Sequence, residues 1–233
     1  MTNVIKTLIV RFWKSPVFMT WGNLVINWGG TVFLLPLILT TFSTEEIGVY
    51  FVFLSAASFH QVFSFGFNPT LSRFIAYANG GMGILAMTRM VESRYELPSA
   101  TDGKADWAAM QGVLRVSRRI YAFIAVFAFI GIGGFGSLFV VRPIRMLDDP
   151  AVGLASWAFV VLTIPIVIKF SYIQNFLNGT GNVALVNRWN AFTGGLSILL
   201  SVGAILLGGR LLALIVVRQS CVLLTVAVFL LLI

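Results

Sequence analysis

The sequence contains few charged residues and few of the side chains on which enzymes depend. Of its 233 residues only 10% are charged, against roughly 25% in an ordinary soluble domain, while 58% are hydrophobic and the mean hydropathy is +0.95. This composition excludes a soluble globular domain. The single cysteine, Cys221, can form no internal disulfide and is predicted to be a small buried apolar residue.

Catalytic groups are equally scarce. No set of His, Cys, Asp and Glu residues has the spacing of metal ligands, and no nucleophile is placed beside a plausible base. We therefore predict no metal, no cofactor and no enzymatic activity.

Long apolar runs dominate the rest of the chain. Each is long enough to cross the roughly 30 Å hydrocarbon core of a bilayer. Membrane spans are predicted near 17–40, 47–67, 120–141, 154–176, 188–208 and 211–233. The stretch 79–119 is predicted to be a cytoplasmic loop, with amphipathic helix near 83–95 and 105–117. Because the other connections are short, sequential helices should be antiparallel neighbours, and the fold class is an all-α polytopic membrane protein with a six-helix bundle.

The distribution of positive charge predicts the topology. The basic start (Lys6, Arg11 and Lys14) is followed by an apolar run too long for a cleaved signal peptide, so the first span is retained. With a cytoplasmic N-terminus, most basic residues fall in cytoplasmic segments, as the positive-inside rule requires. The net charge of +8 is thus explained without nucleic-acid binding.

Negative charge is absent from the predicted spans. All eight acidic residues lie in predicted loops, whereas Arg73, Lys169 and Arg218 lie in or near spans. At about 1.5 Å per residue, Arg218 is roughly 12 Å from the outer face. Cations inside a membrane usually mark functional sites, and their missing partner could be an anionic substrate such as a phosphate or a uronic acid. The alternatives are snorkelling to headgroups and, for Arg218, a carboxylate elsewhere.

Polar side chains recur about every four residues in four of the spans, which places them on one helix face. These stripes are Thr20, Asn23, Asn27 and Thr31; His60, Ser64, Asn68 and Ser72, with Gln61 beside them; Ser171, Asn175 and Asn178; and Asn190, Gly194, Ser197 and Ser201. Polar groups avoid acyl chains, so they either bond between helices or line a hydrated cavity. The presence of four stripes favours a hydrated cavity over bonding between helices.

Pro69 is predicted to break the second helix, as a gate or as a static kink.

The run GIGGFG at 131–136 satisfies the pattern G-x-G-x-x-G of dinucleotide sites. It lies inside an apolar span with no preceding strand, which excludes that function. We predict instead that its glycines allow close helix approach.

The stretch IGVYFVFLSAASFHQVFSFGFNPTLSRFIAYANGG at 47–81 resembles the second-helix region of bacterial polysaccharide flippases. These belong to the multidrug/oligosaccharidyl-lipid/polysaccharide exporter superfamily. The matching residues are Gly48, Tyr50, Phe65, Gly66, Phe67, Thr70, Ser72 and Arg73. The stretches TWGNLVINWGGTVFLLPLIL (20–39) and FLNGTGNVALVNRWNA (176–191) are similar to the family as well.

The resemblance implies a transporter that flips polyprenyl-diphosphate-linked oligosaccharide across the bacterial cytoplasmic (inner) membrane for cell-surface polysaccharide synthesis of the O-antigen type. It implies alternating access, membrane lipids around the chain, and a polysaccharide polymerase and glycosyltransferases as partners. The family has twelve to fourteen helices in two lobes, and the chain is similar to the N-terminal lobe. Because the last span reaches residue 233 without a polar tail, we expect a C-terminal truncation.

Together these arguments predict a set of substrate-binding residues. The set consists of Arg218, Lys169, Arg73, Asn68, His60, Gln61, Asn27 and Asn175. Three alternatives stay open: a cation-coupled multidrug exporter, which the lack of carboxylates in the spans disfavours; a membrane-embedded envelope-glycan enzyme, with RPIRMLDD at 142–149 as the candidate loop; and a non-transporting bundle subunit.

Overall fold

The structure is a computed structural model that describes residues 15–63, 66–83 and 105–232. Within these ranges all regular secondary structure is helical. The helices are α1 (Pro16–Thr41), α2 (Thr44–Phe63), α3 (Phe67–Asn79), α4 (Trp107–Ile130), a π-helical segment (Gly131–Gly136), α5 (Ser137–Ile144), α6 (Pro150–Gly179), α7 (Val183–Leu206) and α8 (Leu211–Leu231). The predicted fold class, an all-α polytopic membrane protein, is confirmed.

In the described ranges, five helices are long and apolar enough to cross a membrane. They are α1, the continuous helix Trp107–Ile144, α6, α7 and α8. The second predicted span, 47–67, corresponds to α2, which is not among these five and begins with the charged pair Glu45 and Glu46. Six spans is therefore an approximate count.

The break after α2 differs from the one predicted at Pro69. Gly66, with φ of 82°, precedes α3, and Pro69 lies in the first turn of that helix. A first-turn residue has no intrahelical acceptor for its N–H, so proline costs little there. The left-handed backbone of Gly66, which favours glycine, sets the direction in which α3 begins.

The helix around the third predicted span is longer than expected, because the helix predicted near 105–117 is present and is continuous with the span. It begins at Trp107, where the Asp106 carboxylate accepts a hydrogen bond of 2.8 Å from the Ala109 N–H. Residues 107–119, part of the predicted loop, therefore continue the span as helix. Arg115, Arg118 and Arg119 are exposed on this extension, which keeps their charges out of the apolar bundle. The predicted helix near 83–95 lies outside the described residues beyond residue 83.

The helices of the bundle pack in two groups. The long helix α6 is central, with α4, α8, α3 and α2 against it, whereas α1 packs along α7. The parallel α1–α7 pair is fixed by a hydrogen bond of 2.8 Å from Asn187 Nδ2 to Thr20 Oγ1. A Cβ on Gly30 would lie 2.1 Å from Ile198 Cδ1, so a larger residue there would force the Ile198 side chain to move. Because α1 lies on α7 rather than along α2, a space remains between the two groups.

The glycine-rich segment 131–136 permits close packing, as predicted. A Cβ on Gly133 would lie 3.0 Å from Val161 Cγ1, and one on Gly136 would lie 3.4 Å from the Trp157 ring. Trp157 Nε1 donates a 2.8 Å hydrogen bond to Ser137 Oγ just beyond the segment. The π-helical stretch thus lies directly against α6.

The connections 42–43, 145–149 and 207–210 meet at one end of the bundle, called the Glu46 end below. Ser43 and Glu46 form a capping box at the start of α2: the Ser43 N–H donates to Glu46 Oε2 at 3.2 Å, and the Glu46 N–H donates to Ser43 Oγ at 3.3 Å. Arg210 Nε lies 3.8 Å from Glu46 Oε1. The start of α2 is therefore fixed by its own cap and tied to the α7–α8 connection.

Candidate functional site

A cavity of about 640 Å³ lies between α1, α2, α6, α7 and α8. Two of the predicted polar stripes face it. The stripe residues in its wall are Asn23, Asn27 and Thr31 of α1, and Asn190, Gly194, Ser197 and Ser201 of α7. The prediction that these stripes line a cavity is confirmed, and the volume is within the range of small-ligand sites.

The wall also contains polar residues that the sequence analysis assigned neither to a stripe nor to the substrate-binding set. They are Tyr50, Gln174, Thr193, Gln219 and Thr225, and the cavity also touches Ser171 of the α6 stripe. Thr225 Oγ1 donates a 2.8 Å hydrogen bond to Thr193 Oγ1 and so joins α8 to α7. A signal was available for α8, because Arg218, Cys221 and Thr225 are spaced i, i+3, i+7 and therefore share one face.

The cavity is closed toward the Glu46 end and open at its side. Between the cavity lining and the Glu46 end lies a layer of buried apolar side chains. This layer contains Ile38, Phe42, Val49, Ile205, Leu211 and Leu214. At the side, the lining residues Asn27, Thr31 and Leu54 are exposed, so the opening lies between α1 and α2.

Arg218 is the one cation in the described wall of the cavity, and that wall contains no carboxylate. It is the eighth residue of α8, roughly 10 Å along the helix from its start. Its side chain is half-buried, and Nη1 donates a hydrogen bond to the Tyr50 hydroxyl oxygen. The guanidinium is thus held by a neutral partner, which leaves its positive charge uncompensated by any described wall residue.

Asn68 and Asn175, both predicted to contact a substrate, lie outside the cavity wall and bond to each other. Asn175 Nδ2 donates to Asn68 Oδ1 at 2.8 Å and to the Tyr121 hydroxyl oxygen at 3.0 Å. The Tyr121 hydroxyl donates to Asn68 Oδ1, and Ser72 Oγ donates to the Asn175 carbonyl at 3.2 Å. This network joins α3, α4 and α6. These stripe residues therefore bond between helices, which is the alternative to lining a cavity.

Replacing Asn175 with alanine should lower the free energy of unfolding by about 1 kcal/mol, because side-chain hydrogen bonds between membrane helices contribute that order of stability. Unfolding of the purified protein by SDS in mixed micelles measures the change. Asn178→Ala is the matched control, since Asn178 is half-buried three residues further along α6. Equal losses for both variants would contradict a stabilising role for the network.

Lys169 and Arg73 do not join Arg218 in the cavity. Lys169 lies on an exposed face of α6 together with Leu162 and Ile166, and its Nζ is 5.4 Å from the centre of the Phe170 ring. Arg73 is exposed on α3. Neither is among the lining residues. The side chains of His60 and Gln61 lie outside the described part of the structure.

Within the described ranges, no three His, Cys, Asp or Glu side chains come together as metal ligands. Cys221 is buried, as predicted, and forms part of the cavity wall as a free thiol. The chemistry that this wall offers is hydrogen bonding by amides and hydroxyls, with one guanidinium.

No protein-family model, curated protein or solved structure matches the chain. The polysaccharide-flippase resemblance therefore stays a prediction from the residues quoted above.

Proposed function

We propose that the protein takes part in flipping polyprenyl-diphosphate-linked oligosaccharide across the membrane for cell-surface polysaccharide synthesis. The observation that supports this best is the composition of the cavity wall. In its described part, amides and hydroxyls surround a single guanidinium, and carboxylates are absent. This set of groups complements a ligand that combines many neutral hydroxyls with a negative charge.

The strength of the contacts suits transport. Neutral hydrogen bonds exchange with water at small net gain, so amide and hydroxyl side chains bind sugar hydroxyls weakly and release them readily. A guanidinium in a site of lowered dielectric attracts a diphosphate more strongly. Arg218 would therefore hold the charged group, while Asn27 and the other stripe residues contact sugars.

The shape of the cavity also fits an alternating-access carrier. Its closed end is formed by the apolar layer beneath the Glu46 end, and its side opening lies between α1 and α2. A lipid-linked substrate must keep its chain in the bilayer while its headgroup enters the protein. A lateral opening satisfies both requirements.

We place the protein in the bacterial cytoplasmic membrane with its N-terminus in the cytoplasm. The Glu46 end then faces the periplasm, and the exposed Arg115, Arg118 and Arg119 lie at the cytoplasmic end of α4, as the positive-inside rule favours. On this proposal the glycosyltransferases that build the glycan act before the flippase, and a polysaccharide polymerase acts after it.

Deleting the gene should cause complete glycan repeat units to accumulate on the cytoplasmic leaflet, linked to polyprenyl diphosphate. The measurement is extraction and quantification of these lipids, with their sidedness determined in spheroplasts. Units that reach the outer leaflet but stay unpolymerised would favour an enzyme instead. Normal glycan lipids together with raised sensitivity to cationic drugs would favour a multidrug exporter.

A further inference from the structure

Tyr50 occupies a rigid position beside the only cation in the described cavity wall. Its side chain is 5% exposed, belongs to the apolar core and meets the Phe51 ring edge-on, with ring centres 5.7 Å apart. It lies in the second turn of α2, whose start is fixed by the capping box of Ser43 and Glu46. The hydroxyl of Tyr50 is therefore a fixed point against which the long Arg218 side chain is held.

The hydrogen bond between the two residues leaves donors free for a ligand. A guanidinium has five N–H donors, and Tyr50 accepts from Nη1. Since the phenol oxygen accepts from a cation, its own O–H becomes a stronger donor. No described residue accepts that proton. The arginine fork and the tyrosine O–H thus lie together at the cavity wall.

Ser201 adds a second hydroxyl, and a third polar group, at a similar level. The antiparallel helices α7 and α8 meet at Thr193 and Thr225. Moving eight residues toward their connection on each helix brings Ser201 level with residue 217, next to Arg218. Ser201 is fully buried in the wall, and its Oγ has no hydrogen-bond partner in the described part of the chain. The buried hydroxyls of Ser156 and Thr163 instead donate to carbonyls one turn earlier.

We infer that Arg218, Tyr50 and Ser201 form an oxyanion subsite at the end of the cavity nearest the apolar layer, with Tyr50 as the positioning residue for the guanidinium. This inference rests on the proposed function and assigns the groups of the substrate to regions of the cavity. The charged group of the substrate binds near α2 and the start of α8, while the amides of α1 and α7 contact neutral hydroxyls. The oxyanion is either the diphosphate of the lipid linkage or the carboxylate of an acidic sugar.

The test is calorimetric titration of the protein in phosphatidylcholine nanodiscs with inorganic diphosphate and, separately, with glucuronate. At least one of them should bind, and the one that does identifies the source of the charge. Arg218→Ala should abolish measurable binding, and Tyr50→Phe should weaken it about tenfold, as expected for a lost hydrogen bond to a charged group. Ser201→Ala should weaken it about threefold.

Two matched controls separate this role from general stability. Tyr121→Phe removes a buried, hydrogen-bonded hydroxyl outside the cavity, and Ser156→Ala removes one from α6; both should leave binding unchanged. A positioning role also predicts that Tyr50→Phe has a smaller effect in an Arg218→Lys background, because an ammonium has no planar fork to orient and only the donation of the Tyr50 O–H to the anion is then lost.

The inference is overturned if neither anion binds the wild-type protein, if Tyr50→Phe binds as wild type does, or if Tyr121→Phe weakens binding equally. These results are independent of the lipid measurement. Anion binding with the expected pattern, in a protein whose deletion causes no accumulation of lipid-linked glycan, would leave the subsite standing and exclude the flippase. Accumulation of lipid-linked glycan without Tyr50-dependent anion binding would support the flippase and exclude the subsite.

Discussion

Replacing Gly179 with leucine should separate α3 from α6 and abolish cooperative folding of the purified protein. Gly179 is the buried last residue of α6, and a Cβ there would lie 2.7 Å from Ile75 Cβ and 2.7 Å from the Ser72 carbonyl oxygen. The carbonyl is backbone and cannot rotate away. Even Gly179→Ala should therefore cost about 1–3 kcal/mol, the usual penalty for overpacking, and leucine should cost more.

Thermal unfolding in detergent, followed by circular dichroism, measures both variants. Gly203→Ala is the control, because a Cβ at this position of α7 would have no atom within 4 Å apart from its own local helix backbone. Alanine is also a better helix former than glycine by up to about 1 kcal/mol, so this variant should melt at or above the wild-type temperature. Equal melting temperatures for Gly179→Ala and Gly203→Ala would show that the α3–α6 contact is not tight.

The contact of Ser72 and Ile75 with Gly179 is the type of feature that the sequence could not predict. Periodicity places residues on helix faces, but it does not say which faces of distant helices meet. The pairing of Tyr50 with Arg218 has the same origin: the residues are 168 positions apart and meet only because α2 and α8 lie against the same cavity. The sequence marked Tyr50 only through its resemblance to a family motif.

The stripes on α1 and α7 were predictable because a four-residue spacing keeps side chains on one face over several turns. On α6 the same spacing had two outcomes. Ser171 reaches the cavity, whereas Asn175, one turn further, bonds to Asn68 and Tyr121. A polar stripe thus predicts that a helix face avoids lipid, without distinguishing water from a neighbouring helix as its partner.

The position of Lys169 could have been found from the sequence. At 3.6 residues per turn, side chains two positions apart point about 200° apart. If Ser171 faces the cavity, Lys169 must face away, and the structure places it on the opposite, exposed face of α6. Lys169 and Arg218 both lie within predicted spans, but a position within a span does not fix the direction in which the side chain faces. The two cations are therefore unequal candidates for a substrate site.

Arg218 is therefore the cation whose loss should impair function most. Arg218→Ala should reduce delivery of lipid-linked glycan to the outer leaflet at least tenfold, because it removes the single charge from the described cavity wall and the charge-assisted bonds that an oxyanion would form there. Arg218→Lys should be intermediate, since lysine restores the charge without the planar fork. The measurement is the outer-leaflet fraction of the glycan lipid in a deletion strain complemented with each variant, at equal protein level.

Lys169→Ala is the matched control, because it removes a cation from a predicted span without changing the cavity wall. It should export as the wild-type protein does. Equal export by Arg218→Ala and Arg218→Lys would show that the charge at residue 218 has no role in transport. A loss for Lys169→Ala as large as that for Arg218→Ala would instead indicate that net positive charge within the membrane matters, and not the geometry of the cavity. Because Arg218 lies in the cavity wall and Lys169 does not, the comparison tests whether function depends on the cavity itself.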